Sequence, residues 1–160
     1  MIDATHLKAR STAASLQKEG VLSHFIGRTK GGLNSKPRAV TDGFGRPLLF
    51  FFTAGQAGDY QGPGTCSIAC PKPRNCWNSG YDAEFFRNGL KDKGISPCIP
   101  PRKKLRNPPW HNKVLYEKRY RFENLFAKLR DWRRIATRCY RGAHAFFSAI
   151  WIAASVIFWL

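Results

Sequence analysis

Tyr116, Arg119, Glu123 and Arg130 stand at spacings that the helical period gathers along one broad stripe, so that a single carboxylate is held among cations. An acid flanked by arginines on a helix ordinarily makes a surface ion pair, and any chemistry there needs partners from elsewhere in the chain. Cys66, Cys70 and Cys76 could be taken for a metal cluster, but zinc sites use tighter cysteine pairs completed by a second Cys or His pair. The five cysteines are an odd number with no secretory leader before them, which reads as reduced thiols in a cytoplasmic setting. Lys and Arg number 27 against 10 Asp and Glu, a net charge of +17 that suits a polyanion, either nucleic acid or an anionic membrane surface. Gly27 to Gly32, with Arg28 and Lys30, reads as a flexible loop: its backbone N–H groups and cations can touch phosphates, or it is simply solvated.

The elements that must position these residues are legible in part. At 160 residues the chain suits one domain burying about two thirds of its unfolded surface. Met1 to Thr5 reads as a strand cut short at its beginning, and His6 to Lys36 as a polar, basic stretch. Ala39–Thr41, the turn Asp42–Gly45 and the strand Pro47–Thr53 form a hairpin. That second strand is apolar on both faces, which predicts a place inside a sheet covered by helices on each side, and hence an α/β domain. Gly62 to Asn78, rich in Pro and Cys, shows neither period. Asp82 to Lys91 reads as a helix ended by Gly94, Ile95 to Ile99 as a short strand, and Pro100 to Trp110 as a basic linker. Lys113 to Thr137 reads as one long helix, and Ala143 to Leu160 as an almost wholly apolar segment close to the length that spans a bilayer.

Three separated blocks, residues 1–9 (Met1-Ile2-Asp3 onward), 26–36 (Ile26-Gly27-Arg28 onward) and 131–138 (Asp131-Trp132-Arg133-Arg134 onward), look like bacterial insertion-sequence transposases of the insertion-sequence-five type. Those enzymes carry a Tyr-x2-Arg-x3-Glu-x6-Lys signature, which this chain resembles at Tyr116, Arg119 and Glu123, with Arg130 in place of the final Lys. The resemblance covers nearly the whole chain except Gln61 to Ser79. It implies a ribonuclease-H-like (retroviral-integrase-like) mixed sheet flanked by helices, with residues 1–160 as one catalytic domain and residues 62–79 irregular. It also implies an Asp on the first strand, an Asp near a later strand end and a Glu on a C-terminal helix, together binding two Mg²⁺ ions. Carried over, the first is Asp3 and the last Glu123.

Carboxylates suit this task because hard dications prefer anionic oxygens, and two ions about 4 Å apart can activate an attacking hydroxyl and stabilise a leaving one. The family's second acid, in Asp-x-Gly-Tyr, corresponds here to Asn78-Ser79-Gly80-Tyr81, so the site loses one charge and the enzyme is expected to be crippled. Asp82 and Asp59 are the nearby carboxylates. Gly62 to Asn78 reads as a frame-shifted stretch of an ancestral helix and strand, because the resemblance vanishes there and returns at Gly80 at almost the expected spacing. The implied partner is DNA, both element ends and target, contacted by Arg28, Lys30, Lys36, Arg133 and Arg134. A homo-oligomer on DNA is expected, with no membrane and no small-molecule substrate.

Two rival readings come from the residues alone. A basic membrane-associated protein would be anchored by Ala143 to Leu160 and the arginines before it. A nucleic-acid-binding module without chemistry would use Trp110, Trp132 and the tyrosines as stacking platforms, although such aromatics read first as core. The membrane reading has no need of Asp3, Glu123 and the signature helix, whereas the transposase reading requires them.

Overall fold

In the computed structural model, which describes residues 1–14, 25–58, 82, 84–92, 94, 96–101, 109–140 and 142–160, the longest strand is built from unpromising sequence. This strand, β4 (Gly32–Thr41), contains Asn34, Ser35, Lys36, Pro37 and Arg38, yet every residue from Asn34 onward is buried. It is buried because it is the hub of the sheet. β1 (Ile2–Ala4) and β2 (Leu7–Ala9) pair antiparallel along one side, while β3 (Gly27–Thr29) and β5 (Pro47–Ala54) pair antiparallel along the other. β6 (Thr137–Arg138) runs parallel to β2 and completes a six-stranded mixed sheet.

The polar residues at 34–38 of β4 survive burial because their heads find acceptors or donors, without which each would cost about 1–3 kcal/mol, whereas the Thr41 hydroxyl at the strand's end is buried with no hydrogen-bond partner among the described residues. Asn34 donates to Thr29 Oγ1 (2.6 Å), Lys36 to the Ala57 carbonyl oxygen (3.3 Å) and Arg38 to the Gly58 carbonyl oxygen (2.8 Å). Pro37, which has no N–H to give, falls between the two partners on its side, since β1 pairs with Arg38–Val40 and β2 with Asn34–Ser35. The expected loop at 27–32 is therefore a hairpin, β3 to β4, turned by Lys30 and Gly31 and entering β4 through Gly32 at φ +93°.

The apolar strand β5 is covered on both faces, as its sequence predicts. Phe50 and Phe52 meet Trp151 and Phe146 on one face, while Leu49 and Phe51 join Ile2, Val40, Leu90 and Ile99 on the other. Among the described residues it pairs with β4 alone. The second face is covered by α2 (Glu84–Asp92), the expected helix, which follows the short α1 (Ser11–Ala14) in chain order and has Gly94 beyond it at φ +69°. The expected strand 95–99 is reduced, among the described residues, to an isolated bridge at Cys98.

The expected single helix over 113–137 is divided into α3 (Lys113–Glu117), α4 (Tyr120–Asp131) and α5 (Arg133–Ala136), after which Thr137 joins the sheet. At the first junction Arg119, Arg121 and Phe122 donate to carbonyls three residues back, a tightened turn that no Gly or Pro announces. At the second, Trp132 adopts extended torsions, which turns the chain so that Ile135 enters the core and β6 reaches β2.

The last helix, α6 (Ala143–Phe158), packs Phe146, Ile150, Ala153 and Ala154 into the core beside α4 and β5. A helix apolar on all sides would ordinarily be buried on all sides, but here Ile152, Val156, Trp159 and Leu160 are exposed. The mixed α/β layering with helices on both faces agrees with the architecture the resemblance implies.

Candidate active site

Asp3 lies on β1 opposite Ala39 of β4, and the alternation of a strand turns it to the face carrying α4, away from the Ile2 and Val40 side. The Asp3 carboxylate is oriented at both oxygens. Oδ1 accepts the Ala4 N–H at 2.8 Å, while Oδ2 accepts Arg119 Nε at 3.1 Å and lies 3.0 Å from Arg119 Nη2. The third guanidinium nitrogen, Nη1, lies 3.3 Å from Glu123 Oε1, so one arginine spans both sequence-predicted acids.

Burial works against a charge on Arg119, but the adjacent Asp3 carboxylate, with Tyr116 and Glu123, outweighs it and holds the guanidinium above its ordinary pKa. Asp3 is mostly buried and Glu123 is open to solvent, although both pair with Arg119.

The remaining signature residues are Arg130 and Tyr116. Arg130 donates to Thr5 Oγ1 and, at 3.4 Å, to the His6 carbonyl oxygen, pinning the turn that follows Asp3. Tyr116 is half-buried against the core, with its ring edge-on to His111. The stripe read from spacing thus forms despite the broken helix, because the tight turn at 118–119 preserves the helical sense of rotation. Thr5 and His6 were missed as participants, and their position directly after Asp3 was the only available signal.

The other predicted positions divide. Arg28, Lys30, Arg133 and Arg134 are exposed, as phosphate contacts must be, whereas Lys36 is buried with its ammonium on Ala57. Asn78 and Asp59 lie outside the described residues, as do Cys66, Cys70 and Cys76 and the whole interval 62–78. Asp82 pairs with Arg87 at 2.8 Å, both mostly buried. Cys98 and Cys139 are free thiols. Trp110 and Trp132, read first as core, are exposed.

A further cation, Arg138, is buried on β6 with its guanidinium over the Phe146 ring, and burial pushes its pKa down to about 10. It donates to Ser35 Oγ at 2.9 Å and to the Tyr140 carbonyl oxygen at 3.1 Å, tying β6 to β4.

Asp3 and Glu123 supply hard oxygen donors drawn together around one positive charge, a donor set that fits a divalent cation. Among the described residues no group of three or more His, Cys, Asp or Glu converges that could hold a metal ion.

Comparison with known proteins gives two findings. The family described as "Transposase DDE domain" matches residues 1–159. The chain is also 31% identical over 143 residues to a protein of Brucella ovis named "Putative transposase for insertion sequence element IS6501", covering 80% of this chain and 99% of that protein. No solved structure matches.

Proposed function

The chain belongs to the transposase DDE domain family, and on that premise we propose a DNA transposase catalytic domain, residues 1–160, in which Asp3 and Glu123 are two of three metal-ligating positions. Asn78 stands at the third, and the missing carboxylate leaves strand cleavage impaired. The observation that carries this reading is Arg119, which joins Asp3 to Glu123 across a sequence separation of 116 residues on the Asp3 side. A surface ion pair on one helix has no need of a mostly buried partner on the first strand.

The chain's own residues bind and orient. Asp3 is held by the Ala4 N–H and by Arg119, Arg130 fixes the following turn, and Glu123 meets Arg119 from the solvent side. Arg28, Lys30, Arg133 and Arg134 take phosphate oxygens as charge-assisted donors. Asp3 and Glu123 would hold the magnesium ions, which when bound would supply Lewis acidity for attack of a water or a 3′-hydroxyl on a phosphodiester. The protein acts on element ends and target DNA in the bacterial cytoplasm, as a homo-oligomer assembled on the DNA. No helix among the described residues is long and apolar enough to cross a membrane, and the membrane-anchor alternative is not favoured.

The test is cleavage of end-labelled duplex DNA with Mg²⁺ or Mn²⁺ by the native chain, Asp3→Asn, Glu123→Gln and Asn78→Asp, paired with Mn²⁺ binding to each. We expect Mn²⁺ binding weakened by Asp3→Asn and Glu123→Gln, and cleavage absent from the native chain and from Asn78→Asp alike. The last expectation follows from the frame-shift reading of 62–78, since a metal site must be held to about half an ångström by its surroundings. Native cleavage abolished by Asp3→Asn overturns the impairment but keeps the site; Mn²⁺ binding indifferent to both acids overturns the site. Translating the gene's other two forward frames across 62–78 should reveal a leucine-rich helix, an apolar strand and an Asp.

A further inference from the structure

Three elements distant in sequence lay down an alternating row of rings and cations on the surface. The Arg121 guanidinium lies over the Tyr120 ring (5.9 Å) and the Phe44 ring (5.9 Å), and Arg46 lies over Phe44 (5.4 Å) and Trp159 (4.7 Å). The order is therefore Tyr120, Arg121, Phe44, Arg46, Trp159, drawn from the start of α4, the turn after β4 and the residue after α6. All three rings face solvent, Tyr120 at 54%, Phe44 at 74% and Trp159 at 49% exposure. The row is preorganised. Arg121 donates to the Gly43 carbonyl oxygen, Arg46 pairs with Asp42 at 2.7 Å, and Gly45, at φ +88°, brings the turn so near α4 that a Cβ there would lie 2.9 Å from Arg121 Cβ.

Exposed rings held at fixed positions between guanidiniums contribute little to a core, and they match a chain that alternates flat bases with phosphates. In a duplex the base faces are stacked and hidden, so duplex DNA can use only the cations; unpaired DNA can use the rings as well. We propose that this row is a docking strip for single-stranded DNA, with bases stacking on Tyr120, Phe44 and Trp159 and phosphates taken by Arg46 and Arg121. The inference rests on DNA being the partner and adds where, and in which strand state, it is held. Tyr120 and Arg121 directly follow Arg119, so the strip begins beside the candidate active site, where a strand freed from its complement would leave.

The test is a titration of labelled oligothymidine and of labelled blunt duplex, at matched salt, with the full native chain, Phe44→Ala, Phe44→Trp and Trp159→Ala. Loss of one stacking platform should weaken oligothymidine binding by about fivefold to a hundredfold. Duplex affinity should change by less than about twofold, and Phe44→Trp should retain the native single-strand affinity. Circular dichroism melting should be unchanged by Phe44→Ala, given the exposure of the ring. Equal single-strand binding by native and Phe44→Ala chains overturns the strip, as does an equal loss in both DNA forms. An effect of Phe44→Ala seen only on anionic phospholipid vesicles assigns the surface to a membrane and also overturns it. Failure of the native chain to bind duplex overturns the DNA reading itself, a separate outcome.

Discussion

Arg119 makes the decisive contact of the candidate site. A carboxylate as buried as Asp3 is costly to leave charged without a close cation, and removing one partner of a buried pair typically costs about 3–5 kcal/mol. Arg119 keeps part of its surface in water, which screens the interaction, so Arg119→Gln should cost about 1–3 kcal/mol in chelator. The guanidinium also occupies the space between the two acids proposed to hold a cation, so the same variant should be stabilised more by Mn²⁺ than the native chain is. Denaturant melts of both proteins in chelator and in Mn²⁺ measure the two effects. A loss in chelator with no extra Mn²⁺ stabilisation would make Arg119 structural only. The type and spacing of Tyr116, Arg119, Glu123 and Arg130 were legible in the sequence, but nothing local indicated that Arg119 would choose Asp3, since pairing across 116 residues is set by how β1 lies against α4.

At the scale of elements, the turn after β4 depends on Asp42, whose carboxylate accepts the N–H groups of Phe44 (2.8 Å) and Arg46 (2.9 Å) and pairs with the Arg46 side chain. Partial burial raises the Asp42 pKa, but the Arg46 side chain and the two backbone donors prevail and hold it below the ordinary 3.8. A depressed acid stabilises the fold above its unfolded pKa and loses that contribution as pH falls through the folded value. Asp42→Asn should therefore lower stability by about 0.5–1.5 kcal/mol at neutral pH, and its deficit against the native chain should close below pH 3.8, as followed by melting over a pH series. A deficit that persists unchanged at acid pH would remove the charge from the explanation.

The sidedness of α6 makes a second prediction at this scale. Ile150 is fully buried and Ile152 is 62% exposed on the same helix. Ile150→Ala should cost about 2–5 kcal/mol, and Ile152→Ala less than about 0.5, in urea unfolding. The apolar sequence of Ala143–Phe158 gives no sign of which side of the helix would be left open. A segment apolar all round carries no periodic mark of its own core face. The division of the 113–137 helix was hidden for a related reason, since the chain turns at Lys118 and Trp132 to satisfy packing and not at a Gly or Pro.

For the whole molecule, a charge of +17 makes counterion release the main source of DNA affinity. Binding to duplex DNA should show little sequence preference and fall by about 10³ or more between 50 and 200 mM salt if at least six phosphates are contacted. Titration at several salt concentrations checks this, and an affinity insensitive to salt would shift the explanation away from charge. The sixteen residues of α6 span about 24 Å, short of the roughly 30 Å hydrocarbon thickness, so the expressed chain should be released from membranes by high salt and carbonate. The sequence by itself determined the charge, the apolar strand 47–53 covered on both faces, the helix ended at Gly94 and the spacing of Tyr116, Arg119, Glu123 and Arg130, because composition, period and motif are local properties. Only the tertiary structure decided that Asn34–Arg38 form the buried centre of the sheet, that Arg119 bridges Asp3 to Glu123, and that Phe44, Tyr120 and Trp159 share one surface. Each of these outcomes depends on strand register and helix placement among residues far apart in the chain, where a polar or aromatic side chain takes its meaning from the neighbour it meets.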